Sequence, residues 1–312
     1  MICVSEDRDI DYELTARLAT EAFASPDINF SADRLRWFYE RSFARGTIIL
    51  AIFDDGVKVG HAALVRQLLI IDGTEQPAAQ FVDLFILKKY RSKGSLRKIY
   101  QEIEDQCRAR NVRFLLAMPN DKARPVNHFF LKLEPYLTLP IRAGLSLLPP
   151  RSSRIKFSDR LDTLPQAEAV ALFSVFDTRA SENGLNWDGD HLYHRLGGPG
   201  SDFGIHATND LLLISSPRTR KRIDYTLLCG FFARPYGALP AGDVRSLVRA
   251  ACRLWRRPVF VYVGVNDAIP SMPGIELPQR LRPSPMLLQL RDFQVGPSIK
   301  LDRFQLIDFD FA

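Results

Sequence analysis

Lys88, Lys89, Arg91, Lys93, Arg97 and Lys98 fall within eleven consecutive positions that contain no acid. They sit where an apolar run, FVDLFIL, passes into a short loop containing Gly94, and where that loop opens into an amphipathic helix. The first amides of a helix have no partners within it, the helix dipole is positive there, and glycine admits a ligand close to the backbone. Arg97 and Lys98, in the first turn, oppose that dipole, so their charge serves an anion better than it serves the helix. The chemistry implied is the holding of a phosphate-bearing ligand.

Asp83 lies inside the apolar run. Buried there, its carboxyl would be pushed up in pKa and suited to general-base work, directly or through water. Facing solvent on an alternating strand, or paired with a neighbouring cation, it would be structural instead. His61 reads either as a contact for a second substrate or as a hydrogen-bonded structural ring. His191 and His194 stand at i and i+3, but no HExxH pattern or third ligand accompanies them, so no metal is expected. There is no G-x-S-x-G elbow, and the Gly197–Gly200 run lacks a Walker lysine and reads as a loop.

The elements around these residues follow from periodicity. Leu14, Leu18, Ala22 and Phe23 give a helical period over 11–24, and a second helix is predicted over Ser31–Phe43 with Leu35, Phe38 and Tyr39 inward. Thr47–Phe53, Val57–Ile71 and Ala79–Lys88, separated by Asp54-Asp55-Gly56 and Asp72-Gly73, read as an antiparallel meander. Leu96, Ile99, Ile103 and Cys107 share one face of a helix over Ser95–Arg110, and Arg113–Met118 forms the next strand.

The segment Ile86 to Gly94, ILKKYRSKG, resembles the acyl-CoA-binding signature of the GNAT superfamily (Gcn5-related N-acetyltransferases), roughly V-x-P-x-Y-R-x-x-G-x-G/A between the fourth strand and third helix. The element order over about residues 1–145 is similar, and Asn120 matches an asparagine often found beyond the fifth strand. The resemblance implies that Arg91, Ser92, Lys93, Gly94, Ser95 and Leu96 offer backbone amides to the pyrophosphate. It implies too that Phe85 and Ile86 pair with the pantetheine amides, and that a backbone N–H near Leu84–Leu87 stabilises the oxyanion. There are two departures. Leu96 stands where Gly or Ala is usual, and either crowds the pyrophosphate or points into the core. Asn127 replaces a tyrosine that usually protonates the departing thiolate, and His128 beside it is the candidate donor in its place, or a structural histidine. Asp83 and His128 are thus the candidate catalytic residues.

A polar, proline-stiffened stretch near Leu147–Arg154 reads as a linker. The second half repeats the outline: a helix over Pro165–Phe176, strands at Phe203–Ala207, Leu211–Ser215 and Arg222–Ala233, a helix over Gly242–Arg256, and a strand from Pro258 ending in Asn266. Trp187 echoes Trp37. The loop corresponding to the signature, Arg234–Asp243, carries two prolines that donate no amide and a single arginine, so it should bind pyrophosphate poorly. The tail FQLIDFDFA reads as a final strand with one slip at Ile307, and low weight attaches to an active-site role for the carboxylate of Ala312.

The expected fold is thus α/β of the α+β type. Two GNAT-like domains, 1–146 and 155–312, are joined by a 147–154 linker. Each is a mixed, mostly antiparallel sheet flanked by helices, and the second is degenerate. The expected activity is transfer of an acetyl or other acyl group from acyl-CoA to a primary amine of amino-sugar or amino-acid type. A non-catalytic CoA-binding pair and an aminoacyl-tRNA-dependent transferase are the alternatives. The 312 residues are 46% hydrophobic and 25% charged, with a net charge of +6. That balance fits anionic small molecules, and without an aromatic-interleaved basic stripe it argues against nucleic acid. Four scattered cysteines, an N-terminus without an apolar signal core and no long apolar run point to a cytoplasmic protein with no membrane span.

Overall fold

The computed structural model describes residues 2–24, 30–43, 45–150, 152–176, 183–235, 241–269, 271–282, 286–294 and 299–309. They fall into two units. One comprises Met1–Leu68, Gln76–Leu137 and Leu287–Pro297, the other Leu69–Glu75, Thr138–Met286 and Ser298–Ala312.

In the first unit β1 (Ile2–Glu6) is followed by α1 (Tyr12–Phe23) and α2 (Ala32–Glu40), then by β2 (Thr47–Asp54), β3 (Val57–Ile71) and β4 (Thr74–Ile86). The Asp11 carboxylate and the Ser31 hydroxyl accept the Leu14 and Arg34 amides and start the two helices. Both hairpins turn on Asp-Gly: Asp55 and Gly56 have φ of 46° and 81°, Asp72 and Gly73 of 50° and 73°. That left-handed pair matches the twist of a tight hairpin. A crossover through α3 (Lys93–Ala109) makes β5 (Phe114–Ala117) parallel to β4, and α4 (Ala123–Leu131) and β6 (Glu134–Thr138) follow.

Ile99, Tyr100, Ile103 and Cys107 of α3 pack against Ile48, Leu50, Ile52, Ala79 and Phe81 on one face of the sheet. Leu18 and Ala19 of α1 cover the other face at Phe85. Full burial of an isoleucine such as Ile99 or Ile103 contributes about 1.5–3 kcal/mol, so α3 is anchored along its length.

The second half of the chain adds β7 (Ile141–Leu145), β8 (Phe157–Arg160), α5 (Gln166–Ser174), β9 (Gly184–Leu185), α6 (Gly189–Leu196), β10 (Gly204–Ala207), β11 (Leu211–Arg220) and β12 (Ile223–Ala233). After these come α7 (Ala241–Trp255), β13 (Val259–Asn266), β14 (Ile275–Glu276), β15 (Leu287–Asp292) and β16 (Arg303–Gln305). The first sheet runs β1-β2-β3-β4-β5-β15-β6 and the second β14-β7-β13-β12-β11-β10-β8, with β16 on β13. β9 pairs with Leu69 and Ile70, residues of the second unit at the end of β3.

The two orders correspond strand for strand. Each sheet has a parallel pair, β4–β5 or β12–β13, connected by a helix and set beside antiparallel ladders such as β1–β2–β3 and β10–β11–β12. This is the α/β fold of two GNAT-like domains that the sequence predicts. The sheets also trade strands. β15 lies between β5 and β6, and β7 lies between β13 and β14.

The tail differs from its predicted strand. Only Arg303–Gln305 is extended, and Leu306–Asp308 forms a 3-10 turn because the Gln305 and Asp308 side chains cap one another's backbone. Residues 310–312, with the Ala312 carboxylate, lie outside the described residues, as do 236–240 of the second loop. No helix among the described residues is long and apolar enough to cross a membrane.

Candidate active site

Parallel pairing of β4 with β5 runs from Ala78–Phe114 to Gln80–Leu116 and stops there, although β4 continues to Ile86. From Phe81 onward the edge of β4 that would face β5 has no ladder partner among the described residues, so a gap opens between two adjacent strands. Asp83 stands in that stretch with φ of 52°. The strand's alternation slips there: Ala79, Phe81 and Ile86 face α3, while Phe85 faces α1. A left-handed residue in a strand costs on the order of 1 kcal/mol, and aspartate tolerates it better than most.

Asp83 is received by α2. The Tyr39 hydroxyl donates to Asp83 Oδ2 at 2.8 Å and lies 3.0 Å from His61 Nε2. The Tyr39, His61 and Phe85 rings form a stack with centroid spacings of 5.5 and 5.4 Å. Burial pushes the Asp83 carboxyl above its usual range, against the Tyr39 hydrogen bond and the Arg34 charge, which pull it down. Asp83 is half-buried. Burial, aided by the charge of Lys58, holds His61 well below the usual imidazole range, so the ring is neutral. With Tyr39 donating to an ionised Asp83, the phenolic oxygen accepts from His61 Nε2–H. The imidazole Nδ1 is then an acceptor, buried and without a partner among the described residues. The sequence marked Asp83 and His61 but took Tyr39 for an inward core residue. A phenol on a buried helix face, opposite a carboxylate in a strand, was the available signal.

The loop is built as a helix start. Ser92 caps α3, and Ser92 and Ser95 satisfy each other's amides, at 3.1 Å for Ser95 N and 2.9 Å for Ser92 N. The Arg91 amide donates to Lys88 O and the Leu96 amide to Ser92 O. The Lys93 and Gly94 amides, in the exposed first turn, have no acceptor among the described residues. A Cβ added at Gly94 would meet only Ser92 Oγ, at 3.7 Å, so nothing in the protein itself demands glycine there. Leu96 packs against the core cluster, which removes the crowding alternative. The Arg91 guanidinium donates to Ile86 O at 2.7 Å and Ala22 O at 3.0 Å, bracing the loop against β4 and α1. Lys88, Lys89, Lys93 and Arg97 are exposed with no carboxylate partner among the described residues.

Asn120 accepts the Lys122 and Ala123 amides at 3.0 and 2.9 Å and starts α4. Asn127 is buried on the inner side of α4, where it accepts from the Tyr100 hydroxyl at 2.8 Å. His128 is on the exposed side, with Nδ1 3.3 Å from Glu134. The structure thus brings Phe85, Ile86 and Asp83 together beside the gap. Residues 91–96 lie at the head of the helix that follows, and His128 points outward. His191 and His194 pair with Asp188 and Asp190, and among the described residues no group of three or more His, Cys, Asp or Glu could hold a metal.

The second unit repeats the gap and fills it. Pairing of β12 with β13 ends at Leu228–Tyr262, and β16 lies on β13 just beyond. Gln305 Oε1 accepts the Phe231 amide at 2.8 Å, and its Nε2 donates back to Phe231 O at 3.1 Å. Asn266, the counterpart of Asn120, also donates to Phe231 O at 3.0 Å. A side-chain amide of the chain thus occupies the strand edge that the first unit leaves open.

An open parallel pair beside a phosphate-ready helix start defines the class. Residues 6–125, rather more than a third of the chain, match the family model described as "Acetyltransferase (GNAT) domain". Among solved structures the chain is similar to a GCN5-related N-acetyltransferase from Anabaena variabilis, at 11% identity, TM-score 0.65, over 95% of this chain and 74% of that one. It is similar to another from Kribbella flavida, at 12% identity, TM-score 0.62, over 94% and 71%. A third is Saccharomyces cerevisiae N-myristoyltransferase with bound myristoyl-CoA, at 12% identity, TM-score 0.58, over 98% and 83%. At these identities the likeness is one of fold, and it extends through both halves. No curated protein matches the chain.

Proposed function

We propose that the chain transfers an acyl group from acyl-CoA to a primary amine, at the gap of the first unit. The observation that carries this reading is the open edge of β4 at Asp83, followed directly by the helix start whose Lys93 and Gly94 amides face solvent. The diphosphate sits on those amides within the field of Lys88, Lys89, Lys93 and Arg97, and the pantetheine arm lies along β4 at Phe85 and Ile86. Asp83 takes a proton from the incoming ammonium, directly or through water, and the neutral amine attacks the thioester carbonyl. The oxyanion is met by a β4 amide, and collapse expels the CoA thiolate, which takes up the proton that the nitrogen gives up as the amide forms. A structure of similar fold, N-myristoyltransferase, has myristoyl-CoA bound, which supports an acyl-CoA as the donor.

Tyr39 positions the base. Its hydrogen bond favours the ionised carboxylate, so Tyr39→Phe raises the Asp83 pKa above its already elevated value. The acid limb of the kcat/KM profile, which reports the base in the free enzyme, is expected to move to higher pH. The charged and titratable groups around it, Arg34 on α2 and His61 on β3, are unchanged in this variant. A limb that stays in place would remove Tyr39 from this role.

One observation favours a second reading, a pair that binds CoA without turnover: α4 presents Asn127 and no phenol to its inner side, and His128 lies outward. Thiol release from acetyl-CoA against a broad amine panel, measured beside calorimetry with CoA, separates the two. Turnover with any amine supports transfer, and tight CoA binding with no release across the panel supports the silent pair.

A further inference from the structure

α7, in the second unit, carries Arg245, Arg249 and Arg253 at i, i+4 and i+8, one stripe down a single face, and Arg256 and Arg257 follow at once. Like charges at that spacing destabilise a helix. Arg245, Arg249, Arg253 and Arg256 have no carboxylate partner among the described residues, while Arg257 is held by Arg218 O at 2.7 Å and by Asp224 at 3.8 Å. Beside the stripe, the segment leaving β7 sets out Leu145, Leu147 and Leu148, which are 68%, 78% and 61% exposed. Leu147, Leu148, Arg249, Arg253, Arg256 and Arg257 border one depression of about 360 Å³. Neither feature serves the stability of the unit, and they are adjacent.

We propose that this face docks on an anionic phospholipid surface. The guanidinium groups meet lipid phosphates, and the leucines enter the boundary between headgroups and acyl chains. The exposure of the leucines selects this occupant. Side chains so open to solvent are projections, whereas the walls of a peptide-binding groove are covered on most sides. A second copy applied through the same face would set arginine against arginine. Nucleic acid would satisfy the charges but has no use for three leucines, and Trp255, the ring within this run, is tied to Ser215 Oγ with Arg160 over its face rather than left open to stack on bases. The proposal does not depend on the acyl-transfer reading, since all of these residues belong to the second unit.

The test is co-sedimentation of the full chain with phosphatidylcholine vesicles, with and without about one-third phosphatidylglycerol. Binding is expected only to the anionic vesicles and should weaken as salt is raised. The double changes Leu147→Ser with Leu148→Ser, and Arg249→Glu with Arg253→Glu, should each weaken it at least about tenfold. Unchanged thermal melting of each variant shows that it is folded. Failure to sediment with anionic vesicles at low salt overturns the proposal. So does equal binding by the leucine variant, which would leave only diffuse charge attraction. A concentration-dependent dimer abolished by the leucine changes, or a polyglutamate peptide that displaces nothing from vesicles yet binds in a leucine-dependent way, would hand the face to a protein partner instead.

Discussion

Asp83→Asn is expected to lower kcat/KM by about 10²- to 10⁴-fold while CoA affinity stays within about twofold. The carboxamide has the shape of the carboxylate and can still accept the Tyr39 hydroxyl, so the kink in β4 and the aromatic stack are retained. It cannot take a proton. Burial raises the native carboxyl above its ordinary range, which makes it a better proton acceptor, and that capacity is what the substitution deletes. The acid limb of the profile should vanish along with the rate. Steady-state kinetics over a pH series with any active amine provide the measurement. Native-like turnover in Asp83→Asn would show that Asp83 is structural and that the amine loses its proton elsewhere.

Gly94→Glu is expected to raise the Kd for CoA on the order of 100-fold without loss of stability. A side chain at this position meets nothing but Ser92 Oγ, at ordinary contact distance, so the free protein has room for it. Helix propensity favours the change, and a carboxylate in the first turn complements the dipole, together about 0.5–1.5 kcal/mol towards a more stable helix. The same side chain blocks the approach to the Lys93 and Gly94 amides and repels a diphosphate. Calorimetric titration with CoA and thermal melting, run side by side, read the two effects separately. A stable variant with undiminished CoA affinity would move the diphosphate away from α3. If the acyl donor were a charged tRNA, transfer would survive this substitution.

The start of α3 could be read to within two residues because its determinants are local, a glycine and a run of cations without acids, while the serine pair that caps it went unread. The two Asp-Gly hairpins were equally open to inspection, since φ at those positions is a property of the residues themselves. Asp83 was visible as a carboxylate in an apolar run, but not the slip in alternation that sends Phe81 and Phe85 to opposite faces. FVDLFIL carries no glycine or proline to announce it. Tyr39 was concealed by its own amphipathic nature, since a tyrosine at an inward helical position reads as core. α4 was missed because Pro125 falls within its first turn, where proline is tolerated but resembles a breaker in sequence. β15 left no trace, for its partners are remote and a six-residue segment, LLQLRD, does not name them. In the tail, the slip at Ile307 was the sign of the turn that ends β16, and Gln305, which fills the second gap, looked like an ordinary outward residue of an alternating strand.

The exchange of β7 and β15 bears on how the molecule is made. Asn127 and its partner Gln289 are 162 positions apart, and β5 waits across a comparable span for the strand that completes its flank. Emerging from the ribosome, the first half reaches β6 with an open sheet edge and remains so until translation has passed Asp292. Contacts closed over such distances are slow to form, and unpaired edges invite the wrong neighbours in the meantime. The nascent chain therefore completes the sheet that carries the candidate site only after residues 287–292 have been made.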